Sequence, residues 1–217
     1  MTSPLHAMFK LISATPSPYA RKVRIALIEK GIPFELITEV PWNSTTATPQ
    51  YNPLEKLPVL ILEDGSSVYE SSYILDWLEL KFPATPLLPP DADGILAAKK
   101  LDVLCNGVCD AVVLTFFERQ RDAGGSPEWL ARQRRKIEGG MQEIARLIGA
   151  REWAVGERFG LGDIAAGTAM GYLSVRFKEL PLREMYPALA AYVDRLGLRP
   201  SFASTVPVAQ TISDKIV

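Results

Sequence analysis

Residues 83–90 read Pro83-Ala84-Thr85-Pro86-Leu87-Leu88-Pro89-Pro90, four prolines in eight positions. Each proline lacks an N–H and fixes φ, so the stretch can be neither helix interior nor central strand. A chain of 217 residues, 47% of them hydrophobic, has material for two buried cores. The proline segment is where it divides, and the two sides differ in pattern.

On the N-terminal side, short apolar runs alternate with helical spacing, the mark of βα units. Residues 8–14 read as a strand. Residues 18–30 read as a helix with Val23, Ala26 and Leu27 on one stripe, closed by Gly31. Strands follow over 34–40, 58–62 and 67–69, the last two flanking the hairpin signal Glu63-Asp64-Gly65, and residues 71–82 return to helix. The order βαβ, then ββα, resembles a thioredoxin-like domain. On the C-terminal side every pattern is helical, over 92–122, 127–148, 161–177 and 187–196. The expected fold is therefore α/β plus all-α: residues 1–83, with a loose extension over 1–7, then a linker over 84–91, then an all-helical domain over 92–217.

Composition narrows the function. Lys and Arg number 24 against 25 Asp and Glu, a net charge of −1, so no global field favours nucleic acid or an anionic membrane. No apolar run approaches the ~20 residues of a membrane span. The two cysteines, Cys105 and Cys109, stand one helical turn apart, a poor geometry for a disulfide, and read first as small core residues. Together with the absence of a signal-like start, this predicts a cytoplasmic protein. The sole histidine, His6, argues against a catalytic triad or a histidine-based metal site. No metal is expected.

Three short strings carry the candidate chemistry. Ser17-Pro18-Tyr19 opens the first helix, where Ser-Pro is a standard cap and first-turn pair. The same hydroxyl, beside the free amides of a helix start, is also placed to donate to an anion such as a thiolate. A hydrogen bond to a charged group is worth about 1.5–3 kcal/mol, enough to lower a thiol pKa near 8.5 by roughly one to two units. Thr15 is the alternative donor. Lys56-Leu57-Pro58-Val59 enters the third strand; Pro58 suits a strand edge, and a cis Leu57–Pro58 bond would turn the Leu57 backbone outward to grip an extended peptide. Glu70-Ser71 suits a helix start, and equally a ligand carrying an ammonium and a carboxylate.

In this order and spacing, Ser17 to Arg24, Asn52 to Val59, Glu70-Ser71, the proline segment and Val155-Gly156 followed by Leu161-Gly162-Asp163 resemble the glutathione S-transferase family, and more closely its bacterial serine-containing members. The resemblance covers essentially the whole chain. It implies a cytoplasmic homodimer active in detoxification, with glutathione as co-substrate and a small apolar electrophile held against the helical domain. Ser17 would activate the glutathione sulfur, the Leu57 backbone next to Pro58 would pair with the cysteinyl portion, Lys56 would lie near the glycyl end, and Glu70 and Ser71 would bind the γ-glutamyl group. Tyr19, Cys109, Asp110 and Phe117 are candidates for the electrophile pocket, Asn106 for a contact with the partner subunit's glutathione, and Asp163 for a structural cap.

The chain also departs from the family. Glu55 and Asn106 stand where relatives often have glycine and an acid, and Gly160 where a hydroxyl cap is expected. The alternative functions are a non-catalytic or regulatory protein that kept the fold, and a glutathione-dependent peroxidase or isomerase.

Overall fold

A computed structural model describes residues 8–215; the expected loose extension over 1–7, with His6, lies outside them. The elements of the first half are β1 (Phe9–Ser13), α1 (Pro18–Glu29), β2 (Phe34–Thr38), β3 (Val59–Ile61), β4 (Ser67–Tyr69) and α2 (Ser71–Lys81). The strands form one sheet in the order β2-β1-β3-β4, with β1 parallel to β2 and the other neighbours antiparallel. This is the thioredoxin-like arrangement. Gly31, at φ +67°, ends α1 in the left-handed region that a side chain resists.

Residues 83–90 form neither helix nor strand. They are tied down at both ends: the Lys30 ammonium donates to the carbonyls of Phe82 and Thr85 and pairs with Glu79 at 2.7 Å, while the Leu87 N–H donates to the same Glu79 carboxylate. Beyond them come α3 (Ala92–Glu118), α4 (Pro127–Ile148), α5 (Leu161–Arg176), α6 (Leu182–Met185), α7 (Pro187–Gly197) and α8 (Pro200–Ala203). The long α3 packs on α4 and α5 to form the second core. The expected helix over 92–122 ends at Glu118, followed by a 3-10 turn at Asp122–Gly124, and the two short helices α6 and α8 carry no sequence periodicity that would announce them.

The two halves meet along α1, which is buried on the side facing α5 and α8 as well as towards the sheet. Charged residues make much of this contact. The Lys22 ammonium, almost fully buried, pairs with Asp102 of α3 at 2.7 Å and donates to the Asn106 Oδ1 at 2.8 Å. Asp102 also accepts from the Ser72 hydroxyl of α2 at 2.9 Å. Arg21 lies over the Phe202 ring and donates to the Phe202 carbonyl and the Thr205 hydroxyl. The chain after α8 then returns to the first half, where the Thr15 hydroxyl donates to the Val208 carbonyl, Gln210 to the Glu39 carbonyl and the Ser44 N–H to the Asp214 carboxylate. No helix among the described residues is long and apolar enough to cross a membrane.

Candidate functional site

Strand register brings the three strings together. Ile12 of β1 faces Val59 of β3, and Val59 faces Tyr69 of β4. Leu57 and Pro58 directly precede Val59, so they lie at the end of the sheet where β1 runs out towards α1 and β4 towards α2. Two helix N-termini therefore converge where the backbone of residues 57–58 leaves the ladder, an arrangement suited to an anionic peptide.

Ser17 is the N-cap of α1, with φ −63° and ψ 119°, and its Oγ accepts from the Ala20 N–H at 3.2 Å. The capping reading thus holds, and it leaves the other half of the hydroxyl in play: capping uses a lone pair, so the O–H proton stays available to a ligand. Thr15 is placed differently, since its hydroxyl proton goes to the Val208 carbonyl at 2.8 Å.

The Leu57–Pro58 bond is cis, and Pro58 is buried while Lys56 is exposed. The loop before it is shaped by Asn52, which sequence reasoning passed over: its buried amide donates to the Lys56 carbonyl at 2.6 Å, and its Oδ1 accepts from the Leu54 N–H at 2.9 Å. Glu55 sits at φ +55°, in the left-handed region where glycine costs nothing and a residue with a side chain is strained.

Glu70 also has a positive φ, +71°, and caps α2 with its own carboxylate, which accepts from the Ser72 and Tyr73 N–H groups at 3.1 and 3.3 Å. A non-glycine residue held there is costly and commonly marks a functional turn. Ser71 is buried, and its hydroxyl donates to Glu70 at 3.2 Å.

The wall opposite is built by α3. The Tyr19 hydroxyl donates to the exposed Asp110 carboxylate across the domain boundary. Burial, Cys109 and this bond all push the Tyr19 pKa up, so Tyr19 acts as a neutral donor. Phe117 packs against Trp42, from the loop after β2, with ring centres 4.3 Å apart. Trp42 adds an exposed aromatic face that sequence reasoning missed.

Two expected residues lie elsewhere. Cys109, expected in the electrophile pocket, sits in the core with 3% exposure, and burial pushes its thiol to about 12; Cys105 is shifted the same way. An i,i+4 pair on the inward face of α3 has no route to a cleft. Asn106 is held inside the chain, accepting from Lys22 and donating towards Ser72 and Asp102 at 3.2 Å, and a contact with a partner subunit would require it to leave these groups.

Asp163 is the buried cap of α5. Its carboxylate accepts from the Gly160 N–H at 2.8 Å, the Ala154 N–H at 3.0 Å and the Tyr192 hydroxyl. Burial raises its pKa, opposed by those hydrogen bonds. The missing hydroxyl at Gly160 has a steric cause: a Cβ there would stand 2.5 Å from the Leu87 carbonyl oxygen, which accepts from the Leu161 N–H at 2.7 Å. A cavity of about 710 Å³ between the proline segment and residues 155–163 adjoins this contact and is not lined by Ser17, Leu57 or Glu70. Among the described residues, no group of three or more His, Cys, Asp or Glu is placed to hold a metal ion.

Comparison with known proteins bears on this geometry. Residues 16–81 match the family model for the N-terminal domain of glutathione S-transferase, and residues 127–195 match that for its C-terminal domain. The chain belongs to the glutathione S-transferase family. Among solved structures, a glutathione S-transferase of Methylobacterium radiotolerans in complex with glutathione sulfonate is 72% identical, covers 97% of this chain and 100% of its own, and superposes with a TM-score of 0.95. A glutathione S-transferase of Methylobacillus flagellatus with glutathione bound is 36% identical over 92% of this chain and 100% of its own, with a TM-score of 0.88. An uncharacterised GST-like protein of Escherichia coli K12, YibF, is 35% identical over 91% of this chain and 98% of its own length. Glutathione S-transferases of this lineage thus share the whole fold, and solved relatives hold glutathione or its sulfonate.

Proposed function

We propose that this chain is a serine-type glutathione transferase that ionises the glutathione thiol and directs it at an electrophilic carbon. The observation that carries the proposal is the Ser17 hydroxyl, whose lone pair caps α1 while its proton is left for a ligand at a helix N-terminus. In this reading the bound thiol gives its proton to solvent, and Ser17 donates to the thiolate. The sulfur then forms a C–S bond while a leaving group departs with its electron pair, or while an adjacent unsaturated carbon takes a proton. The chain supplies nucleophile activation and proximity.

The remaining roles are those that the family resemblance implies. The outward Leu57 backbone beside Pro58 pairs with the cysteinyl portion, Lys56 approaches the glycyl carboxylate, and Glu70 and Ser71 take the γ-glutamyl ammonium and carboxylate. Tyr19, Asp110 and Phe117 face the electrophile. Residues 1–83 form the glutathione-binding unit and 92–217 the electrophile-binding unit, in a cytoplasmic homodimer. Glutathione bound to solved relatives with the same fold supports this reading.

The test is a thermal shift with glutathione and a conjugation assay on wild type and Ser17→Ala. Stabilisation by glutathione, with conjugation lost in Ser17→Ala, is the expected result. Stabilisation without conjugation, peroxidase or isomerase turnover in wild type would identify a binding protein, and conjugation unchanged in Ser17→Ala would remove Ser17 from its role.

A further inference from the structure

The chain after α8 crosses back onto the first half and fastens to it in succession. Just before α1, the Thr15 hydroxyl donates to the Val208 carbonyl at 2.8 Å. Further along, the Gln210 amide donates to the Glu39 carbonyl at 3.3 Å, the Ser213 N–H donates to the Asn43 Oδ1 at 3.0 Å, and the Asp214 carboxylate accepts from the Ser44 N–H at 2.6 Å. These last three contacts grip residues 39–44 of the loop that follows β2, and Trp42 lies within that grip. The far end of the loop is anchored differently, by the Glu39 carboxylate, which accepts from the Ala47 N–H at 3.2 Å and the Thr48 hydroxyl at 2.9 Å. Among the described residues, the hydrogen bonds that Asn43 and Ser44 make outside the loop go to Ser213 and Asp214.

The loop leaves the sheet beside the segment that carries Ser17. In the parallel pair of β1 and β2, Ser13 faces Thr38, and the Glu39 N–H extends the pairing by donating to the Ser13 carbonyl at 2.8 Å. From there one strand runs out to Ser17 and Tyr19, the other to Trp42. Both reach the same helix. The Tyr19 hydroxyl donates to Asp110 of α3, and the Trp42 ring meets that of Phe117 with centres 4.3 Å apart. Asp110, Leu114 and Phe117 stand at i, i+4 and i+7, on one stripe of α3, with the outer two about 10 Å apart along its axis. Leu114, between the two bridges, is 42% exposed, so that part of the stripe is uncovered. An apolar gap therefore opens between Tyr19 and Trp42, next to the helix start that Ser17 caps.

We infer that the segment after α8 is a strap in which Gln210 and Asp214 are positioning residues, holding the loop after β2 so that Trp42 forms the wall against which an aromatic electrophile packs. The inference rests on the conjugation reading above and adds to it the class of electrophile and the residues that set its fit. Trp42 is 45% exposed, and a ring seated between it and Leu114 takes apolar surface of both out of water. Aromatic rings also favour the offset and edge-on contacts that the tilted pair of Trp42 and Phe117 offers. A loop free to swing would lose this wall while leaving Ser17 in place.

The experiment titrates S-benzylglutathione and S-methylglutathione calorimetrically into wild type, Trp42→Ala, Gln210→Ala/Asp214→Ala and the combination of all three substitutions. Wild type should bind the benzyl thioether about tenfold or more tightly than the methyl one, as expected of a ring removed from water. Trp42→Ala should cut that preference about fivefold, and Gln210→Ala/Asp214→Ala about threefold. The combined variant should lose no more than Trp42→Ala alone, because the strap acts through the indole, whereas a merely structural defect would add its own loss. Equal wild-type affinities overturn the inference. So does a preference that survives Trp42→Ala or Gln210→Ala/Asp214→Ala, and so does an additive loss in the combination. Neither thioether has a free thiol, so absent conjugating activity defeats the proposed function and leaves this comparison standing; failure to bind either thioether defeats both.

Discussion

Lys22 and Asp102 form an ion pair of 2.7 Å between α1 and α3, with both side chains almost entirely out of solvent. Removing one partner of such a pair leaves a buried charge uncompensated and typically costs about 3–5 kcal/mol. Asp102→Leu should therefore lower the urea midpoint strongly, and Lys22→Met/Asp102→Leu should recover most of the loss. A double variant no better than the single one would mean that the contact works through packing rather than charge.

Ser17 caps α1, and the proposed function gives it a second job that substitution can separate from the first. Ser17→Ala removes both the cap and the donor, and should cost about 1 kcal/mol of stability along with conjugation. Ser17→Asp keeps a good cap, so unfolding should change by no more than about 0.5 kcal/mol, while the thiolate loses its donor and meets a like charge. Paired denaturation and conjugation measurements decide it. A stable, fully active Ser17→Asp would show that the hydroxyl is only a cap.

At Gly160 the intuitive improvement should fail. Restoring a hydroxyl cap with Gly160→Ser would ordinarily stabilise a helix start, but the added Cβ falls 2.5 Å from the Leu87 carbonyl oxygen, a backbone atom. Forcing the contact apart should destabilise by about 1–3 kcal/mol, read by thermal or urea unfolding. Stabilisation would mean that the linker yields freely.

Alkaline pH should unfold the protein in a predictable window. Burial raises the Cys109 thiol from its ordinary 9.0 to about 12 and the Tyr172 hydroxyl from 10.0 to about 12, and Tyr19 and Tyr192 shift the same way. Between these values the unfolded chain has lost protons that the folded chain still holds. Stability is then complete below about pH 9 and falls as pH rises towards 12. Urea midpoints at pH 8 to 11 should show the decline, and thiol reagents at pH 8 should modify the cysteines only after unfolding. Rapid labelling of the native protein would contradict the buried placement of both thiols.

Much of the architecture was legible because local signals agreed. Ser17-Pro18 and Gly31 bracket α1, Glu63-Asp64-Gly65 separates β3 from β4, and the helical pattern over 127–148 matches α4. What escaped reading depends on distant partners. Arg21 and Lys22 look like solvated charges within a helix until Phe202 and Asp102 are brought to them. Asn52 gives no sign that it bonds the carbonyl of Lys56, and Trp42 meets Phe117 only through the tertiary fold. The Gly160 departure, puzzling in sequence, becomes a matter of clearance from a carbonyl seventy-odd positions earlier.

The helix that begins at Ser17 is also the one whose next turn is bolted to the second half through Lys22. The first half is therefore not a transplantable cassette. Joined to a foreign helical domain lacking an acid at the Asp102 position, it would carry a stranded ammonium little more than one turn from the Ser17 cap. Such chimeras should be faulty at the start of this helix because of a charge that the foreign domain leaves unanswered.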